Sequence, residues 1–102
     1  MRTRGPAPAT AETASTLALS GLAFLAEDPQ RLVRFLGLTG IGPADLRQAA
    51  DAPETLLAVL DHLLGDESLL LVFAASKGIA PESLAPARAA LARTLGAEPI
   101  DG

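Results

Sequence analysis

The chain contains no cysteine, tryptophan or tyrosine, and three phenylalanines are its only aromatic residues. Without cysteine there is no disulfide framework, no thiolate metal ligand and no thiol nucleophile. An aromatic content of 3% leaves leucine and alanine to form nearly all of the buried surface. Because both residues favour helices, this composition predicts an all-α fold.

Long hydrophobic runs are also missing. The longest apolar run, residues 69–75, is much shorter than the roughly 18 to 20 residues that a membrane span needs. Arg2 and Arg4 precede an apolar stretch as in a signal peptide, but Pro6 and Glu12 interrupt the approach to it. We therefore expect a cytoplasmic protein without a membrane segment.

Positive charge is scarce in the middle of the chain. The whole chain has a net charge of −4. The segment from Asp45 to Glu67 contains six acidic residues and a single basic residue, Arg47. Such a segment repels phosphate and disfavours nucleic acid as a partner.

The length of 102 residues suits one domain. Residues 1–10 and 96–102 are rich in proline and glycine, which predicts disordered tails around a helical domain at 11–95.

Prolines and glycines mark the helix boundaries. Four prolines stand where a first helical residue is expected: Pro29, Pro43, Pro53 and Pro81. Four glycines follow apolar stretches, where a left-handed residue ends a helix: Gly40, Gly65, Gly78 and Gly96. These signals predict about six short helices, at 11–26, 29–38, 43–50, 53–64, 67–77 and from 81 or 86 to 95.

The chain resembles itself after a shift of 38 residues. Between 22–50 and 60–88, ten positions carry the same residue, including the pairs Phe35/Phe73 and Gly40/Gly78. Caps and core positions are what a duplicated unit retains, so the sequence predicts a compact domain of two pseudo-repeated three-helix units. The alternative is a coincidence between two ordinary helix connections in a chain rich in leucine and alanine.

Each unit contains a short hairpin, "GIGP" at 40–43 and "GIAP" at 78–81. The stretch "LTGIGPADL" resembles the helix-hairpin-helix family, which presents backbone N–H groups to nucleic-acid phosphates. This resemblance implies an alternative function, a nucleic-acid-binding doubled helix-hairpin-helix domain, with these candidate phosphate-binding residues: Gly40, Ile41, Gly42, Lys77 and Gly78.

Several residues depart from that pattern. Ala80 replaces the glycine that would let a phosphate approach, and Asp45 and Glu82 stand where a base is expected. As purely structural elements, the hairpins are fully explained by a glycine that ends one helix and a proline that begins the next.

A wider resemblance covers about residues 16 to 92. The stretches "FLAEDPQRLVRFL", "TGIGPADLR" and "DESLLLVFA" resemble domain-of-unknown-function family 3572, a family of small uncharacterised bacterial proteins. This resemblance implies no activity, substrate or partner for any residue.

No catalytic constellation stands out. His62 is the only histidine and has Asp61 and Asp66 nearby, but its equivalent in the first repeat is Phe24, which indicates a packing role. Phosphate-loop and dinucleotide fingerprints are missing from the sequence. We predict that the protein is not an enzyme and has no cofactor, metal or small-molecule substrate.

Two predicted helices, 11–26 and 67–77, are apolar on nearly all sides. Since such helices need burial all round, a small domain has difficulty enclosing both. The sequence thus predicts a non-catalytic interaction module that binds an unknown protein partner or forms a homodimer through an apolar helix surface. The candidate surface comprises Leu17, Leu19 and Leu22. The alternative is that one of the two helices is simply the centre of a compact bundle.

Overall fold

The computed structural model describes residues 10–96, in which the chain forms six α-helices, one 3₁₀ turn and no strand. The helices are α1 (Ala11–Ala26), α2 (Pro29–Thr39), α3 (Pro43–Gln48), α4 (Pro53–Leu64), α5 (Glu67–Lys77) and α6 (Leu84–Gly96), with the 3₁₀ turn at Pro81–Ser83 before α6. The predicted all-α fold is confirmed. The third helix ends two residues earlier than predicted, at Gln48 rather than at residue 50.

Polar side chains cap three of the helices, and prolines begin others. Thr10 caps α1 and forms a reciprocal capping box with Thr13. The Asp28 carboxylate accepts a hydrogen bond from the Gln30 backbone amide at the start of α2. In the same manner, the Asp66 carboxylate accepts a hydrogen bond from a backbone amide of α5. These acceptors satisfy amides that have no partner within their own helix.

Two of the four glycines end helices in the left-handed conformation. Gly40 has φ 78° and Gly78 has φ 66°, as predicted. The prediction is wrong for Gly65, whose φ of −81° is that of an ordinary right-handed residue. It also fails for Gly96, which is the last residue of α6. Gly65 does not need a left-handed conformation, because the next residue, Asp66, is already the N-cap of α5.

Helices α1, α4 and α6 form the centre of the molecule, each packing on the other two. Helix α2 packs mainly on α1, and α5 mainly on α4, so both lie at the periphery. The shortest dimension is 20 Å, which corresponds to two helix diameters. In such a thin molecule, each peripheral helix has one face that no other helix covers.

Gly21 brings α1 and α4 close together. A Cβ atom at position 21 would lie 2.9 Å from Cδ1 of Leu63 and 3.0 Å from Cγ1 of Val59. Both side chains are fully buried in the core. Glycine is therefore required here for space, because the α4 side chains fill the volume that any side chain would take.

Two aromatic contacts join the halves of the chain. The rings of Phe24 and Phe73 lie 5.3 Å apart, and those of Phe35 and His62 also lie 5.3 Å apart. A shift of 38 residues converts the positions of one pair into those of the other. The third elements differ, since α3 has 6 residues whereas α6 has 13 and follows a 3₁₀ turn.

Most of the two tails predicted as disordered lies outside the described residues. Thr10 and Gly96, which the prediction assigned to those tails, belong to the α1 cap and to α6.

Between residues 10 and 96, no single helix is long and apolar enough to cross a bilayer. One pair, Glu67–Lys77 with Pro81–Gly96, passes that test jointly but is bent by 109°.

Candidate interaction surfaces

The predicted partner surface on α1 is largely covered. Leu17 and Leu22 are half-buried and pack against the core, and Leu19 is 41% exposed. Helix α1 contributes five buried residues: Ala14, Ala18, Gly21, Phe24 and Leu25. It is thus the central helix that the sequence left as an alternative, and the three leucines do not form one exposed face.

Helix α5 presents an uncovered apolar surface without charged residues. Five exposed residues with helical spacing form what we call the outer face of α5: Ser68, Leu71, Val72, Ala75 and Ser76. Leu71 and Val72 are each 48% exposed. None of the five residues is ionisable, so this face is neutral over nearly the full length of the helix.

The opposite side of α5 fixes the helix to the domain. Phe73 and Ala74 are its only buried residues. The Asp66 cap at one end and the left-handed Gly78 at the other define its limits. The outer face is therefore held on a helix whose position and ends are set by the fold.

Helix α2 has a related exposed face. The outer face of α2 consists of five exposed residues, each 38 positions before a residue of the outer face of α5: Gln30, Val33, Arg34, Gly37 and Leu38. Val33 is 67% exposed and Leu38 is 68% exposed. Unlike the outer face of α5, this face carries a positive charge, Arg34, at its centre.

A groove of about 440 Å³ runs between α2 and the connection from α4 to α5. Arg34 and Leu38 line one side, and Asp66 and Glu67 line the other. His62 also lines the groove, but its Nε2 atom is buried and has no hydrogen-bond partner among the described residues. A ligand in the groove has no access to this nitrogen.

His62 packs against another aromatic ring. Its ring meets the ring of Phe35 edge to face, with an angle of 76° between the planes. Burial lowers the pKa of His62, Asp66 opposes this change and Arg34 adds to it. The neighbouring Asp61 pairs with Arg88 at 2.6 Å rather than orienting the imidazole.

The hairpin residues predicted for phosphate binding are mostly occupied within the chain. The Gly40 amide donates to Leu36 O, and the Ile41 amide donates to the Thr39 hydroxyl. In the second hairpin, the amides of Gly78 and Ile79 both donate to a carbonyl of α5. These four N–H groups are not free to meet a phosphate.

The charges around the hairpins also oppose an anion. The Asp45 carboxylate stands at the start of α3, with Oδ2 3.3 Å from where a Cβ of Gly42 would lie. Lys77, the predicted cationic contributor, is paired with Glu27 at 2.6 Å. In the part of the chain that the structure describes, no three acidic or histidine residues form a group that could hold a metal ion.

These features define a small all-α domain with two neutral or weakly charged apolar faces on peripheral helices. The family described as "Protein of unknown function (DUF3572)" matches residues 11–94, and the chain belongs to this family. The resemblance found in the sequence is thereby confirmed. Comparisons with curated proteins and with solved structures gave no match.

The sequence interpretation missed the outer face of α5 because it considered only the apolar content of that helix. The run "LLLVFAA" predicts burial, yet only two of its residues are buried. The signal that identifies the exposed side is Ser68 and Ser76, which lie on one stripe with Leu71 and Val72 at helical spacing.

Proposed function

We propose that this protein is a non-catalytic interaction module that binds a protein partner, or a second copy of itself, through the outer face of α5. The observation that supports this proposal is an exposed, uncharged helix face with two large aliphatic side chains at its centre. The centres of protein interfaces are depleted of charged residues, and the outer face of α5 likewise contains none.

The energetics of the face suit association. Fully burying a leucine or valine side chain contributes about 1.5 to 3 kcal/mol. Leu71 and Val72 are about half exposed, so covering both adds roughly 1.5 to 3 kcal/mol in total. Since the fold already fixes α5 on its buried side, little backbone ordering opposes binding.

The alternative nucleic-acid function has weaker support. Four hairpin amides are bound within the chain, and the cation beside them, Lys77, is paired with Glu27. Asp45 adds negative charge at the start of α3. Duplex binding at about 50 mM salt is the observation that would reinstate this function, because phosphate contacts are strongest at low salt.

The proposal also places the protein in the bacterial cytoplasm. A chain without cysteine has no disulfide to form in an oxidising compartment, which agrees with a reducing one. We assign no cofactor, substrate or catalytic residue to it.

The proposal is tested by photo-crosslinking in native cells. A benzophenone amino acid replaces Leu71 in one variant and Gln48 in the control; both residues are exposed, but Gln48 lies on α3. We expect discrete crosslinked species from position 71 and none of them from position 48. Identical patterns from both positions, or no adduct from position 71, would refute the proposed surface.

A further inference from the structure

We infer that protonation of His62 releases α2 from α4 while the other helices stay folded, which makes this helix contact an acid-sensitive device. The inference follows from the surroundings of the His62 imidazole and from the way in which α2 is held. It goes beyond the proposed function and does not depend on the partner of the outer face of α5.

Helix α2 is anchored by a single fully buried side chain. Phe35 is the only buried residue of this helix and is 0% exposed. Leu32 and Leu36 are partly buried and pack against the core. The edge-to-face contact between Phe35 and His62, with ring centres 5.3 Å apart, joins α2 to α4. Any movement of the His62 ring therefore acts directly on the anchor of α2.

The buried nitrogen of His62 suits the neutral imidazole and not the charged one. Its Nε2 atom is shielded from solvent, and no residue between 10 and 96 forms a hydrogen bond with it. In the neutral ring only one nitrogen carries a proton, so Nε2 can stay unprotonated. In the imidazolium both nitrogens are donors and share the positive charge. A charged donor without an acceptor costs far more to bury than a neutral nitrogen does.

The groove between α2 and the connection from α4 to α5 gives the charged ring a way out. His62 and Asp66 both line this groove. Asp66 Oδ1 accepts from the Leu69 amide, and the second oxygen of the carboxylate is able to accept from an imidazolium. A ring that turns into the groove gains this carboxylate and water, but it loses its contact with Phe35.

Charged groups from four elements line the groove or reach it: Arg34 of α2, Asp61 of α4, Asp66 and Glu67 at the start of α5, and Arg88 of α6, which pairs with Asp61. Burial lowers the pKa of His62, Asp66 opposes this change and Arg34 adds to it. Because Arg34 belongs to α2, release of that helix removes its repulsion together with the burial. The imidazole therefore has a lower pKa when α2 is docked than when it is released, so acid favours release.

Proton linkage sets the size of the effect. If His62 is protonated only when α2 is released, the opening constant of α2 rises by about 30-fold between about pH 7.5 and about pH 5, because the ordinary pKa of histidine is about 6.5. Partial protonation in the docked state makes the rise smaller, and we expect at least about 5-fold. Ordinary carboxylates remain mostly ionised at about pH 5 and contribute little to this change.

Amide hydrogen exchange, followed by NMR at both pH values, tests the inference on the wild-type protein. The amides of Leu36 and Gly40 report on α2, and those of the buried residues Ala18 and Leu91 report on α1 and α6. We expect the α2 amides to be less protected than the two core amides. Their protection factors, which are corrected for intrinsic exchange, should fall by at least about 5-fold on acidification.

Two results on the wild type would overturn the inference. Equal protection of the α2 and core amides at about pH 5 would show that α2 opens only when the whole domain unfolds. Protection of α2 that stays constant, while that of the core amides falls, would show that α2 opens without releasing His62.

The variant His62→Phe keeps an aromatic ring next to Phe35 and has no titrating nitrogen. Protection of the α2 amides in this variant should agree within about 2-fold between the two pH values. A fall as large as that of the wild type would assign the acid sensitivity to another group, such as Asp66, and refute the role of His62.

A second measurement does not need the variant to fold. His62 is the only histidine, so its ring gives a single set of NMR signals to follow through a pH titration of the wild type. We expect a midpoint below about pH 6.5, with the loss of α2 protection over the same range. A midpoint at or above about pH 6.5 would show that the ring is protonated while α2 stays docked, which contradicts the inference.

Discussion

The close approach of α1 and α4 makes Gly21 the most sensitive small residue of the core. We predict that Gly21→Ala destabilises the protein, although alanine is the better helix former. On propensity alone, this substitution in a helix interior would stabilise by about 1 kcal/mol. The added methyl group, however, would lie 2.9 Å from Leu63 Cδ1 and 3.0 Å from Val59 Cγ1.

Neither neighbour is able to yield easily. The χ1 angle of a helical valine is nearly fixed, so Val59 moves only together with its backbone. Leu63 is fully buried, with other core side chains around it. Overpacking of this kind costs about 1 to 3 kcal/mol. Against the propensity gain, the net loss of stability is about 1 kcal/mol.

Gly37→Ala is the matched control. Gly37 is also helical but exposed, and an added Cβ there would have nothing within 4 Å. This variant should gain about 0.5 to 1 kcal/mol. The two variants carry the same chemical change and differ in sign only because of packing.

Urea denaturation followed by circular dichroism measures both free energies of unfolding. The difference between the variants should be about 1.5 to 2 kcal/mol, or roughly 6 to 16 °C in Tm for a domain of this size. If Gly21→Ala stabilises the protein as much as Gly37→Ala does, the packing argument at this crossing is wrong.

Three further predictions follow from other parts of the structure. Because burial lowers the pKa of His62, its imidazole binds a proton more weakly in the folded chain than in the unfolded chain. The free energy of unfolding should therefore fall as the pH drops below about 6.5. Denaturation curves at about pH 7.5 and about pH 5.5 should show a smaller fall for His62→Phe than for the wild type, and an equal fall in both would contradict this. Gly40→Ala and Gly78→Ala should each lose about 1 kcal/mol in thermal unfolding, because both positions have positive φ; a neutral effect would show that neither cap matters. In a crystal structure, residues 22–50 should superpose on 60–88 with Phe35 on Phe73 and Gly40 on Gly78, and different hairpin angles in the two segments would exclude a duplication.

Much of the helical framework follows from the sequence because its signals are local. Asp28 caps the helix that Pro29 begins, and Gly40 ends it, through contacts within a few residues. Such interactions need no distant partner, so the residue pattern alone places the boundaries. Gly65 shows the limit of this reasoning. Its neighbours in sequence do not reveal whether the glycine adopts a left-handed conformation or stays right-handed and leads directly into the N-cap of the next helix.

The assignment of faces depends on tertiary structure. Helices α1 and α5 are both almost wholly apolar in sequence, yet α1 lies at the centre and α5 at the periphery. Composition does not distinguish them, because burial depends on which helices pack on each side. The close approach at Gly21 and the covering by α6 place α1 inside, while α5 is fixed mainly along one side. What the sequence determined was that the chain is helical and has more apolar surface than is easily enclosed. Only the packing of helices distant in sequence decided that Leu71 and Val72, rather than Leu17 and Leu22, remain exposed.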